Sequence, residues 1–92
     1  MRIERTTQFK RDFKREAKGR YKEFLETSLI EVIELLIMNN VLPDRYFDHA
    51  LTGQWSDFRD CHIKPDLILI YQKPNLDVLR LIRLGSHSQL GL

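Results

Sequence analysis

Four residues of a kind that could move protons stand at the ends of apolar runs: His49 in Asp48-His49-Ala50-Leu51, His62 and Asp66 flanking Ile63-Lys64-Pro65, and His87 in Gly85-Ser86-His87. Imidazole titrates near neutrality, so several rings around one phosphodiester can take and give protons at cellular pH. If the apolar runs pair as neighbouring strands, the four meet at one end or rim of the sheet. A histidine taken alone is more often a surface or structural residue. A metal site needs close convergence of donors. Adjacent residues of a strand point to opposite faces, so Cys61 and His62 suit neither a shared zinc nor a cysteine–histidine nucleophile.

Around these stand candidates for holding a polyanion. Residues 1–22 carry nine basic side chains against three acidic ones, a local +6, whereas residues 23–48 carry six acidic against one basic, a local −5. Lys10, Arg11, Lys14 and Arg15 fall in the basic segment, where they suit either phosphate binding through counterion release or a solvated helix face. Trp55, just after Gly53, can pack into the core or stack on an unpaired base. Arg83, within a strand run, can bridge to neighbouring oxygens or stabilise charge on a phosphate.

These residues need a small scaffold. A chain of 92 residues, 42% apolar and 30% charged with net charge +2, suits one compact domain over 1–92. Cys61 is the sole cysteine, which excludes an internal disulfide and fits a reducing compartment. No apolar stretch suits a signal peptide or membrane span, so a cytoplasmic protein without membrane partners is expected.

The pattern predicts a short strand at residues 2–5 with Ile3 inward. Thr6 or Thr7 then caps a helix, with Phe9, Phe13 and Ala17 as a thin apolar stripe. One longer helix is predicted over 21–38, its buried face marked by Leu25, Leu29, Val32, Ile33, Leu36 and Ile37, with Asn39 and Asn40 leaving the helical region. Three strands follow, at 56–63, 66–72 and 76–84, with connections short enough for an antiparallel meander. Leu67-Ile68-Leu69-Ile70-Tyr71 is apolar on both pleat faces and reads as a central strand.

The patterns D-H-x-L-x-G-x-W at 48–55, R-D-x-H-x-x-P-D at 59–66 and G-[ST]-H at 85–87 closely resemble the YafQ branch of the RelE/ParE superfamily of bacterial type II toxins. The likeness is close over 48–90 and looser over the helical half. It implies an α+β fold: a RelE-like compact antiparallel sheet with two N-terminal helices packed on one face. It also implies a ribosome-dependent endoribonuclease that cuts mRNA in the decoding site. The family's active centre maps onto His49, His62, Asp66 and His87, with Pro65 setting the turn that holds Asp66 and His62 at one rim.

RNA supplies its own nucleophile, the 2′-hydroxyl, so neither metal nor other cofactor is required. His87 is favoured as general acid and His49 or His62 as base, with Asp66 orienting a histidine or sharing the base role, and Arg83 contacting phosphate. Relatives in this branch can carry an aromatic residue near the C-terminus. Here the chain ends Leu90-Gly91-Leu92, which leaves Trp55 to supply stacking. Implied partners are the ribosome and mRNA, and a cognate ribbon-helix-helix antitoxin through which alone operator DNA is met. The rivals are a ParE-like inhibitor of DNA gyrase and an inactive co-repressor that only binds antitoxin.

Overall fold

The computed structural model describes residues 1–92. Strand β1 (Arg2–Arg5) leads through Thr6 into α1 (Thr7–Glu16). The Thr6 hydroxyl accepts from the Phe9 backbone N–H at 2.9 Å and donates to the Ile82 carbonyl at 2.7 Å. One side chain thus caps α1, as its type predicts, and ties it to the sheet. The single long helix expected next is two: α2 (Lys22–Leu25) and α3 (Ser28–Ile37), broken where Thr27 leaves helical geometry at φ −122°, ψ −85°. Asn39 takes the left-handed conformation, φ 56°, just past α3, a role its short polar side chain tolerates.

Strands β2 (His49–Ala50), β3 (Arg59–Lys64), β4 (Leu67–Asn75) and β5 (Val78–Gly85) follow, and α4 (His87–Leu90) closes the chain. The sheet order is β1-β5-β4-β3-β2. The predicted meander is β3-β4-β5, all antiparallel. The sheet is nevertheless mixed rather than antiparallel, because β1 lies parallel to β5, with Ile3 opposite Leu79. A parallel neighbour needs a long crossover, and nearly the whole chain separates these two strands.

β4 is central, and Leu67 to Tyr71 are all at most 1% exposed. One sheet face meets the helices in a cluster including Phe9, Leu29, Val32, Leu36, Leu69, Tyr71, Leu81 and Leu84. The other carries a small apolar cluster of buried Ile68, Ile70 and Leu90, with Leu51, Trp55, Phe58 and Ile82 packed around them. Two expected core positions are open instead: Ile3 is 41% and Phe13 38% exposed, because no element covers the space between β1, α1 and α3.

Asp12 pins α1 to the sheet. It is 1% exposed and accepts from Arg83 Nε at 2.7 Å, the Leu84 N–H at 3.0 Å and Arg15 Nη1 at 3.0 Å. Burial by itself raises this carboxyl, but the bonds from Arg83 and Leu84 and the charges of Arg83 and Arg15 outweigh it and hold it below the usual range. Arg15 Nη2 also donates to the Leu84 carbonyl at 2.8 Å. A β-carbon at Gly85 would come within 2.8 Å of that guanidinium and of Gln89 Oε1, so one or both of these side chains would have to shift to admit it.

Candidate active site

β2 and β3 pair with His49 directly opposite Asp60. His62 follows Asp60 by two residues and shares its face, since side chains alternate along a strand. The Pro65-Asp66 turn joins β3 to β4, and His87 is the first residue of α4, just beyond β5. The ring centroids of His49 and His62 are 6.2 Å apart, and those of His62 and His87 5.4 Å, so His62 sits between the other two.

The hydrogen bonds fix which nitrogens remain free. Asp66 Oδ1 accepts both the His87 backbone N–H at 2.9 Å and His87 Nδ1 at 2.8 Å. Those two bonds, led by the backbone one, hold the Asp66 carboxyl below the usual range, so it is ionised and only accepts. His87 therefore carries its Nδ1 proton toward Asp66 and presents Nε2 outward. Ser86 caps α4 reciprocally with Gln89, and buried Leu90 anchors it, which steadies the His87 backbone.

His49 Nδ1 lies 2.7 Å from the Phe47 carbonyl and 3.2 Å from Asp60 Oδ1. A carbonyl can only accept, so the single Nδ1–H points at Phe47 and the contact with Asp60 is electrostatic. Asp60 Oδ1, buried and without a hydrogen-bond donor, sits beneath His49 and 3.9 Å from His62 Nε2. Burial raises the Asp60 carboxyl against the lowering charges of the three histidines. His62 is lowered, first by burial and then by the charges of His87 and His49, with Asp60 opposing. It is neutral at cellular pH and able to accept a proton. Asp48, bonded to Tyr71 and paired with Arg59 at 3.2 Å, fastens the segment that carries His49.

All four expected residues thus gather in one patch. The histidine that Asp66 meets is His87, its carboxylate reaching from the β3–β4 turn to the start of α4. Asp60 was missed; its signal was the shared strand face with His62.

The residues expected to bind RNA are placed differently. Trp55 packs edge-on to Phe58 at 5.6 Å with Nε1 buried, so the indole lies half-buried against the minor core rather than fully presented to solvent. Arg83 and Arg15 are engaged by Asp12 rather than held ready for phosphate. Arg11 is exposed and without an ion-pair partner, while Lys10 and Lys14 border an apolar groove of about 560 Å³ lined by Ile3, Phe13, Leu25, Ile30 and Ile33. Cys61 points into the main core, away from the histidines, and burial pushes its thiol up, so it is no nucleophile. No three His, Cys, Asp or Glu side chains converge closely enough to hold a metal ion.

A small α+β sheet protein with an imidazole-lined rim is the class that this geometry defines. The family described as bacterial toxin of type II toxin-antitoxin system, YafQ, matches residues 1–91. The putative toxin YafQ of Haemophilus influenzae is 39% identical over 95 residues, covering 100% of this chain and 93% of the relative. The mRNA interferase toxin YafQ of Escherichia coli K12 is 33% identical over 90 residues, covering 96% and 97%. A chain of the E. coli DinJ-YafQ toxin-antitoxin complex superposes with a TM-score of 0.82 at 40% identity, covering 97% of this chain and 94% of that one. The chain belongs to the YafQ family of bacterial type II toxins.

Proposed function

We propose that this toxin is an mRNA interferase, a ribosome-dependent endoribonuclease acting in the decoding site of cytoplasmic ribosomes. The observation that carries the reading is the chain of three imidazoles over two carboxylates, with His49 and His87 each tethered through Nδ1. His62, which burial keeps unprotonated, takes the proton of the 2′-hydroxyl. That oxygen attacks the adjacent phosphorus. His87 acts as the imidazolium, with its Nδ1–H held by Asp66, and gives the second proton from Nε2 to the departing 5′ oxygen. His49 in its imidazolium form donates Nε2–H to the phosphate, and Asp60 below balances the positive charge that collects on the cluster. The products are a 2′,3′-cyclic phosphate and a 5′-hydroxyl. Because the RNA brings its own nucleophile, the residues present suffice for the proton transfers. Mapping mRNA 5′ ends after brief induction tests the reading: cuts within codons, lost in His87→Ala, are expected. A DNA-damage response without cuts would favour gyrase inhibition, and no growth effect an inactive co-repressor.

The E. coli relative crystallises with its antitoxin DinJ, and we infer a protein antitoxin here too, of the ribbon-helix-helix kind, through which operator DNA is bound. The groove between β1, α1 and α3 suits an amphipathic antitoxin helix with acidic flanks. Its floor is apolar, and its rim carries Arg5, Lys10 and Lys14, none of them ion-paired within the chain. The same lysines, with Arg11, are the cations available to ribosomal RNA, so a helix seated there also blocks ribosome docking. Ile30→Asp is expected to weaken antitoxin binding by about tenfold or more while cleavage persists. Reversing Lys10, Arg11 and Lys14 is expected to reduce ribosome co-sedimentation, with a shallower salt dependence in what remains. Unchanged antitoxin affinity or co-sedimentation would remove the respective assignment.

A further inference from the structure

With Trp55 half-buried against the minor core, the histidine rim as described has no fully presented surface on which a base can be held, yet cleavage of single-stranded RNA requires a nucleotide splayed into position. Phe47 stands where that surface is needed. Its ring centroid is 5.8 Å from that of His62, and the residue is 66% exposed. Other strongly exposed apolar residues, Met38, Val41 and Leu76, lie in turns or irregular chain and have no histidine ring packed on them. Such residues scattered singly are ordinary, but one seated against a catalytic ring is not.

The backbone points the same way. Phe47 adopts φ 49°, ψ 43°, the left-handed region that a residue with a β-carbon and a bulky ring rarely enters. That conformation does two things at once: it sends the Phe47 carbonyl to His49 Nδ1, and it leaves the ring against His62 with one face to solvent. Its neighbour Tyr46 is buried, bonded to Glu31 at 2.7 Å, which fixes the turn from behind. On the same side lies a hollow of about 240 Å³ lined by Arg45, His62, Lys64 and Pro65 among others; Arg45 is paired there with Glu31 at 3.0 Å, which leaves Lys64 as the cation it can offer to a flanking phosphate.

We propose that Phe47 is a nucleobase-binding residue, stacking a base of the mRNA beside the cleaved linkage. The inference rests on the nuclease reading above for the identity of the ligand. Its mechanism is geometric: a stacked base fixes the ribose whose 2′-hydroxyl must face His62. Aromatic stacking tolerates any base, so Phe47 contributes affinity and alignment more than sequence choice.

The test compares Phe47→Ala, Phe47→Leu and Phe47→Trp, each checked for folding by circular dichroism and melting. In the active chain, kcat/KM for ribosome-bound mRNA is expected to fall about tenfold to a hundredfold for Ala and Leu, the size of a lost base–aromatic stack, and to hold for Trp. In a His87→Ala background, mRNA carrying 2-aminopurine on either side of the cleaved linkage reports stacking directly. Its fluorescence should be quenched with Phe or Trp at position 47 and not with Leu or Ala. Leucine matching phenylalanine in both readouts, or quenching that persists in alanine, overturns the proposal. If the wild type cuts no mRNA but quenching still follows the aromatic ring, the nuclease reading fails and the base-binding residue stands. Normal cleavage and quenching in Phe47→Ala, with cleavage lost in His87→Ala, sinks this inference alone.

Discussion

The helix-covered face of the sheet and the histidine face are buried by different means. The first is closed by a cluster of 15 buried residues drawn from helices, loops and sheet, while the second has 3, with the histidines along its rim. Hydrophobic area dominates folding stability, so most of the fold's free energy resides on the helix side. The rim is held instead by directed contacts, Asp66 to His87, Asp48 to Tyr71 and Arg59, and the Ser86–Gln89 cap. Substitutions should therefore separate: changes under the helices cost stability, and changes at the rim cost chemistry.

The largest stability effect expected outside the apolar core is at Asp12. Asp12→Ala leaves Arg83 without its buried partner and frees the α1–β5 contact. A loss of about 3 kcal/mol is expected from such a broken pair, and a fall in Tm on the order of 15 °C for a chain of this size. The Asp12 carboxyl lies below its unfolded value, so its contribution is present above roughly pH 4 and disappears as pH falls through the folded pKa. Asp12→Asn should flatten that acid limb of the stability curve. An unshifted melt would show that α1 is not held to the sheet through this residue.

At the rim the expectation reverses. His87→Ala should lower cleavage by about 10²- to 10⁴-fold, the usual share of a general acid, while changing stability by no more than about 0.5 kcal/mol. Its backbone bond to Asp66 survives the substitution. Asp66→Asn should cost less than His87→Ala, because it removes the charge that orients the ring but leaves the ring in place. A melt that falls in step with activity in either variant would erase the distinction between the faces.

How much of this was legible in the sequence follows the same division. β4 announced its centrality because it is apolar on both pleat faces, and the three patterned segments delivered His49, His62, Asp66 and His87 to one rim. The parallel docking of β1 was not legible, since pairing between segments so far apart leaves no local periodicity. Nor was the break at Thr27, where packing of α2 and α3 overrides a continuous helical pattern. Asp12 looked like one polar residue on a basic helix face; only the arrival of Arg83 and the Leu84 N–H makes it a hub. Asp60 carries no motif of its own, and only its two-residue spacing from His62 along β3 places it on the same face.

The subtlest consequence of the comparison concerns Asp60, the one carboxylate buried on the thinly covered face. A base works only when unprotonated, so cleavage falls as pH drops through the apparent pKa of the histidine cluster. Burial and the charges of His87 and His49 lower His62, and Asp60 is the influence that raises it. Asp60→Asn removes that influence at nearly constant shape, and the acidic limb of kcat/KM should therefore move to lower pH, by less than about one unit for a partly screened pair. The rings titrate as a set, so the shift belongs to the cluster rather than to His62 alone. A limb that moves to higher pH, or stays in place while His62→Ala abolishes activity, would mean that Asp60 acts through shape and not through charge.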